Sequence, residues 1–459
     1  MARPRLRRHD AARKAAPGAT DRSPQPTSPR GGQRKGRRAR RGGIVAGRVR
    51  ELTPTGQGVV MLDDGGQVFV AGTAPGERVR VRVDPRGGRF ARGALVSVLE
   101  PSEERVAPPC PQVDRCGGCD LMHLSPRARL ELQRRHAEKL LAGLGPADRA
   151  VPIEQHRPAP ELAYRSRARL SIEGGRRAAR VGYRAGRSHG LVPIETCPVL
   201  RAELAGTPAT LAALLADSTG RGQARIALGN ERQPVGSIRW EGVLAAAVFG
   251  RAADLVASGR WSGIELWPEG AREPARYGDP RPVVPGPGDR TLAMAAGGFA
   301  QPSDEGGAAL AGHVATLLEP SDAVVELFAG SGTLSAAIAD RVGKLVAVES
   351  DPGAVAALRA NLAPYESVTR VVLADANAYR IPRSTTAVVL DPPRAGAREA
   401  VGNVIAARPR RVVYVSCHAA ALARDLEVLI QGGHAIDRVD LFDLFPQTHH
   451  VEIVVQLSR

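Results

Sequence analysis

The chain has 459 residues, is 43% hydrophobic and carries a formal net charge of +17, which leaves room for two to four domains with real cores. No run of 18 apolar residues occurs, so no membrane-spanning helix is expected. The N-terminus lacks the apolar segment of a secretory signal, so a cytoplasmic, reducing setting is expected, where five cysteines point to metal or catalysis rather than disulfides.

Residues 1–43 hold 14 Lys/Arg against Asp10 and Asp21, so +12 of the net charge sits in this tail. It is rich in Pro, Gly and Ser and nearly free of large apolar residues, the composition of a disordered extension. Its plain reading is a solubilising tail; its functional reading is a non-specific anchor for a polyanion, nucleic acid first. Organelle transit peptides share the Arg-rich, acid-poor composition, but this tail runs into Gly-Gly and basic runs rather than an amphipathic helix.

Five short alternating runs follow, at 44–50, 58–62, 67–70, 78–83 and 94–98, separated by Gly, Asp and Pro. That spacing predicts a small closed β-barrel over 44–101, of the oligonucleotide-binding type. In 78–83 valine and arginine alternate, giving one apolar and one basic face. Phe69 and Phe90 alone offer stacking, so backbone contact is favoured over base readout.

Residues 102–290 predict a central α+β domain. A Pro/Gly loop contains Cys110-x5-Cys116-x2-Cys119, and Cys197-Pro follows after 77 intervening residues. Four thiolates can hold zinc or an iron–sulfur cluster, and spacing alone does not choose. A helix is predicted over 125–144 and an alternating basic strand over 165–172, while 269–290 reads as a Pro/Gly/Arg linker or excursion.

From 291 to 459 strands alternate with helices, which predicts a parallel, doubly wound α/β sheet. Glu326-Leu-Phe328-Ala-Gly330-Ser-Gly332-Thr333 joins its first strand to its first helix, and Glu349 ends the second strand 17 residues after Gly332. Glycines let a ligand approach the backbone and the acid can accept ribose hydroxyls, as in adenosine-cofactor sites. A nicotinamide or flavin is the rival ligand, but Ser335 stands where that fingerprint has its third glycine. Asp375, after a third strand, suits an adenine amino group or a helix cap. Asp391-Pro-Pro-Arg394 closes the fourth strand with a stiff loop, and Arg394 replaces the aromatic that would suit amine methylation. The fifth strand runs into Cys417 and then a helix over 419–430. A helix N-terminus favours thiolate there, against the plain reading of a buried thiol.

Together these motifs resemble the S-adenosylmethionine-dependent RNA uracil-5-methyltransferases, specifically the iron–sulfur-containing type that acts on 23S ribosomal RNA, over residues 44–459. The resemblance implies a Rossmann-like class I methyltransferase domain at the C-terminus, an N-terminal TRAM barrel and a central iron–sulfur domain. It implies [4Fe-4S] ligation by Cys110, Cys116, Cys119 and Cys197. It places Gln301 of Phe299-Ala-Gln301, Phe328, Gly330, Gly332, Thr333, Glu349, Asp375 and Asp391 around S-adenosyl-L-methionine. Cys417 would be the nucleophile and Glu452, in Phe445-Pro-Gln-Thr-His-His450-Val-Glu452, the base, with His418 demoted. Ser303 and Thr333 stand where the family more often has Asn, and the basic tail lies outside its pattern. The implied function is methylation of C5 of a uridine in 23S rRNA. Alternatives are the same reaction on tRNA, a non-catalytic RNA-binding protein, or a flavin- or nicotinamide-dependent oxidoreductase with a cluster. RNA is the expected partner; no protein partner is implied and a monomer is expected.

Overall fold

A computed structural model of the chain describes residues 42–85, 91–144, 151–186, 188 and 190–459. The basic tail to residue 41 and Phe90 lie outside the described residues.

Strands Ile44–Leu52, Gly58–Leu62, Gln67–Val70, Arg78–Val83 and Arg92–Glu100 close into an OB-like barrel, in the order first, second, third, fifth, fourth. The valine–arginine alternation decides the faces: Val79, Val81 and Val83 are buried with Val49, Val60 and Val68, while Arg80 and Arg82 are exposed. A helix, Pro126–Leu141, follows the cysteine loop; Ser125 caps it by accepting from the Ala128 N–H at 3.1 Å, and proline opens it.

The central sheet has seven strands, with Arg167–Glu173 between Thr219–Leu228 and Arg180–Arg184. Ala168, Leu170 and Ile172 point into its core against Trp240 and Leu211, which sends Arg167 and Arg169 to the other face. The stretch read as a linker is instead ordered. Ala275–Gly278 forms the edge of this sheet, and Val283–Pro285 pairs with Thr291–Ala293. Edge strands tolerate the prolines and glycines that disguised them.

The C-terminal sheet has eight strands. Its order is Thr369–Leu373, Lys344–Glu349, Ala323–Leu327, Ala387–Leu390, Arg411–Ser416, Glu452–Ser458, Ala435–Phe442, Ile153–His156. The first five are mutually parallel, as expected, but Glu452–Ser458 runs antiparallel between Arg411–Ser416 and Ala435–Phe442. The last strand, Ile153–His156, comes from the central part of the chain. Chain order reverses between Ala323–Leu327 and Ala387–Leu390, so the loops after Leu327 and Leu390 open onto the crevice where such sheets bind ligands. Valines 388 and 389 with Leu390 and Leu327 are fully buried, each contributing roughly 1.5–3 kcal/mol of burial that holds this edge rigid. Among the described residues no helix is long and apolar enough to cross a membrane.

Candidate active site

The glycine loop turns sharply out of strand Ala323–Leu327. Phe328 sits at φ +64°, Gly330 at +57° and Gly332 at +93°. A Cβ on Gly332 would lie 2.6 Å from Leu358, so only glycine fits. An aromatic residue in left-handed backbone is strained, and such strain persists where surrounding structure over-determines it, typically at ligand sites. Glu349 stabilises the turn: one carboxylate oxygen accepts from the Gly330 N–H at 2.9 Å, the other from the N–H groups of Ser350 and Asp351 at 2.7 and 2.8 Å. Oε1 also accepts from the Ser350 hydroxyl at 3.2 Å and is fully engaged, whereas Oε2, with one partner, keeps a lone pair for a ribose hydroxyl. Asp375 is exposed and no helix follows it, so it is not a helix cap; its Oδ1 accepts from the Asn377 N–H at 2.9 Å within a turn, which leaves the other oxygen open.

Gln301 contributes a buried Oε1 with no hydrogen-bond partner. An orphaned buried acceptor beside a ligand crevice is what a bound donor would satisfy. Ser303, by contrast, is buried and caps helix Asp304–Thr316 through the Gly306 N–H at 3.1 Å. Serine and asparagine cap equally well, so Ser303 keeps the cap that the family's Asn would provide. Thr333 opens helix Thr333–Ala339 and its hydroxyl lies 3.9 Å from the Met294 sulfur, leaving it weakly engaged.

Cys417 and Glu452 meet because their strands pair. Ser416 lies opposite Ile453, which sets the following thiol beside the preceding carboxyl at the ligand edge. Asp391 arrives from the next strand over, and Arg394 from the stiff loop behind it. Burial pushes the Cys417 thiol up, the Glu452 carboxyl adds to this, and the Arg394 guanidinium opposes it by charge and by hydrogen bond. Burial and two neighbouring acids thus act against the thiolate that the helix N-terminus would favour, and Arg394 acts for it. Burial likewise holds Glu452 well above the usual carboxylate range, with Asp391 raising it further and Arg394 lowering it. Burial pushes Asp391 up to about 7. His418 is a cap, its Nδ1 accepting from the Ala421 N–H at 3.2 Å.

Cys110, Cys116, Cys119 and Cys197 line one small cavity with Arg165, Tyr183 and Met122, and none is in a disulfide. Burial, then the neighbouring thiols, push Cys119 up to about 12. Thiols crowded in an apolar cage become favourable only when a metal removes their protons. One zinc would draw four sulfurs to about 3.8 Å apart, given Zn–S near 2.3 Å. Among the described residues the trio of potential ligands within 4.8 Å of one another is His156, His313 and Asp440, not these thiols. In the trio, Asp440 is already engaged by Arg438 at 2.7 Å and His156 at 2.9 Å.

Sequence reasoning missed the residues that join the cysteine loop to the Glu452 motif. Asp120 pairs with His449, Tyr164 with Pro446 and Arg129 with Gln447. Only Asp120, directly after Cys119, lay next to a recognised motif. A separate groove of about 220 Å³ between the barrel and helix Pro126–Leu141 lies away from these strand ends.

Comparison with known proteins follows the same lines. A family model described as tRNA (Uracil-5-)-methyltransferase matches residues 379–459, and one described as ribosomal RNA adenine dimethylase matches 313–395. The 23S rRNA (uracil(1939)-C(5))-methyltransferase of Pseudomonas putida is 34% identical over 430 residues, spanning 88% of this chain and 91% of that one. Its counterpart from Chromohalobacter salexigens is 33% identical over 433 residues, spanning 90% and 88%. The crystal structure of Pyrococcus abyssi tRNA (uracil-54, C5)-methyltransferase with S-adenosyl-L-homocysteine matches with a TM-score of 0.70 at 22% identity, covering 90% of this chain and 100% of that one. At that identity the likeness establishes the fold.

Proposed function

The chain belongs to the RNA (uracil-C5)-methyltransferase family, and from that premise we propose that it methylates C5 of one uridine in 23S ribosomal RNA. The uridine corresponding to position 1939, on which the Pseudomonas putida relative acts, is the proposed target. The observation that carries the proposal is the convergence of Cys417, Glu452, Asp391 and Arg394 at the switch-point edge, beside the glycine loop.

S-adenosyl-L-methionine supplies an electrophilic methyl group on a sulfonium. Glu349 and the loop Phe328–Thr333 would hold its adenosine end, with Asp375 available to the adenine amino group and Gln301 and Asp391 to the rest of the cofactor. Uracil C5 is too weak a nucleophile to take the methyl directly, so the uridine must be unstacked and activated. The Cys417 thiol gives up its proton to solvent water, and the resulting thiolate adds to C6, which makes C5 and O4 an enolate. Arg394 compensates the negative charge that first sits on sulfur. C5 takes the methyl, and Glu452, as its carboxylate, removes the remaining C5 proton so that elimination frees Cys417. The raised affinity of Glu452 for a proton makes it a stronger base than an exposed carboxylate.

Cys110, Cys116, Cys119 and Cys197 are proposed to hold a [4Fe-4S] cluster, supported by their shared cavity and spacing wider than a single zinc would draw. Such a cluster absorbs broadly near 400 nm without flavin fluorescence. With such a substrate the protein is proposed to work in the cytoplasm, as a monomer on RNA. The test is to map 5-methyluridine in ribosomal and transfer RNA from cells with and without the gene. Loss at one 23S position supports the proposal; loss in transfer RNA would replace the substrate, and no loss in either would overturn it.

A further inference from the structure

A cleft of about 450 Å³ lies between the central sheet and the segment that carries Gln301. Arg165, Arg167, Arg169 and Arg225 line it, with Phe299 and Phe445, and no Asp or Glu is among its described lining residues. The sheet register explains the clustering. Arg167 and Arg169 sit two apart on one face of their strand, and Arg225 lies directly opposite Arg169 on the neighbouring strand. Like charges in that position repel, and little within the fold offsets them. Arg225 donates to the Gly297 carbonyl. The Nε of Arg165, and the Nε and Nη2 of Arg167, are buried without hydrogen-bond partners. The nearest carboxylate to Arg167, Asp304, stands 3.9 Å away, beyond hydrogen-bond reach. Burial has already pulled the Arg167 guanidinium down to about 10. Unsatisfied buried donors on a concentrated cationic face are an anion site awaiting its ligand.

Phe299 supplies the second half of the site. Its side chain is 77% exposed at the cleft, although a large aromatic gains by burial. It is also held in register with the arginines. The Ser166 N–H donates to the Pro302 carbonyl at 2.9 Å, and Arg165 bridges to Ser303.

We infer that this cleft is a second nucleotide subsite, holding the nucleotide next to the flipped uridine, with its phosphate on Arg167 and Arg169 and its base stacked on Phe299. The inference rests on the RNA reading above and deepens it. It assigns the recognition of flanking sequence to the central sheet, and it couples that recognition to Gln301 through two backbone contacts rather than a flexible linker.

The experiment uses the full, cluster-loaded chain and a 23S rRNA hairpin spanning the target, with affinity measured across a range of salt. Arg167→Met and the exposed Arg169→Gln should each weaken RNA binding about tenfold and flatten the slope of log affinity against log salt by about one. S-adenosyl-L-homocysteine should bind each variant as tightly as it binds the parent. Because Arg169 is exposed, its variant tests the site even if Arg167→Met fails to fold. An abasic residue on one side of the target should cost the parent roughly tenfold, and should cost Phe299→Ala nothing further. Unchanged salt slopes in Arg169→Gln, or equal abasic penalties in parent and Phe299→Ala, would overturn the subsite while the parent still methylates the hairpin. A parent that methylates no RNA would instead remove the reading beneath it.

Discussion

Tyr164 donates a 3.0 Å hydrogen bond to the carbonyl oxygen of Pro446, across 282 positions of sequence. Tyr164 is fully buried in the same apolar cluster as Met122 and Val199, against which Cys110, Cys119 and Cys197 pack, and Pro446 lies six residues before Glu452. The bond is one of several. The Leu121 N–H donates to the Gln447 carbonyl at 3.0 Å, and the His449 N–H to Asp120 at 2.9 Å. Gln447 is held at φ +76°, a strained position that these contacts fix. The cysteine loop therefore braces the segment that delivers the proposed base. If the four cysteines hold the proposed cluster, Cys119→Ser or Cys197→Ser should lower kcat more than it raises KM, together with loss of absorbance near 400 nm. Tyr164→Phe should retain the absorbance, lose about 1 kcal/mol of stability, and lower kcat a few-fold. If both changes act on KM alone, the brace is irrelevant to catalysis.

Cys417→Ala should abolish methyl transfer while S-adenosyl-L-homocysteine still binds, because the thiol lies at the strand end and not in the glycine loop. Glu452→Gln removes the base after the covalent step. It should leave a protein–RNA adduct stable on a denaturing gel, with turnover down at least 100-fold. Turnover by the Cys417 variant would sink the covalent route.

The pH dependence follows from the shifted groups. Cys417 and Glu452 both hold their protons above the usual range, and the reaction needs the first as thiolate and the second as carboxylate. Activity should therefore rise with pH through neutrality. Arg394 lowers both groups, so Arg394→Met should push both up and move the rising limb of kcat/KM to higher pH by about one unit, about tenfold in rate on that limb. A loss equal at every pH would assign Arg394 to the enolate oxygen alone.

How far the sequence revealed this site depends on the range of the contacts. Cys417, Glu349 and Asp391 each end a run of β-branched residues, and a strand end is visible in a local window. The barrel is legible for the same reason, through its period of two. Tyr164, Asp120 and Arg129 act across hundreds of positions, and no local pattern encodes such partners. The surroundings of Cys417 divide in the same way: its position before a helix is local, whereas its burial against the Glu452 carboxyl depends on an antiparallel strand that the parallel pattern did not foretell. The edge strand Ala275–Gly278 was hidden by composition, since proline and glycine there read as a linker.

Glu326 offers a test of the crevice's electrostatics without touching the reaction. It is buried in strand Ala323–Leu327, and its Oε2 accepts a 2.5 Å hydrogen bond from the Ser335 hydroxyl. That bond accounts for serine where a dinucleotide fingerprint has glycine. Burial pushes Glu326 up to about 8; Ser335 opposes the shift, and the charges of Asp391 and Glu349 add to it. An unfolded glutamate titrates near 4.3, so between about 4.3 and 8 the folded chain binds the extra proton. Stability contributed by this group is full below that window and is lost as pH rises through it. Glu326→Gln keeps the acceptor for Ser335 and removes the titration. At pH 5 the variant and parent should unfold at similar urea concentrations. At pH 8 the variant should be the more stable, by on the order of 1–3 kcal/mol, the full shift being discounted for relaxation around a buried charge. A difference that stays constant between pH 5 and pH 8 would mean that Glu326 does not change its protonation there, and that the three carboxyls flanking the glycine loop are not coupled in this way.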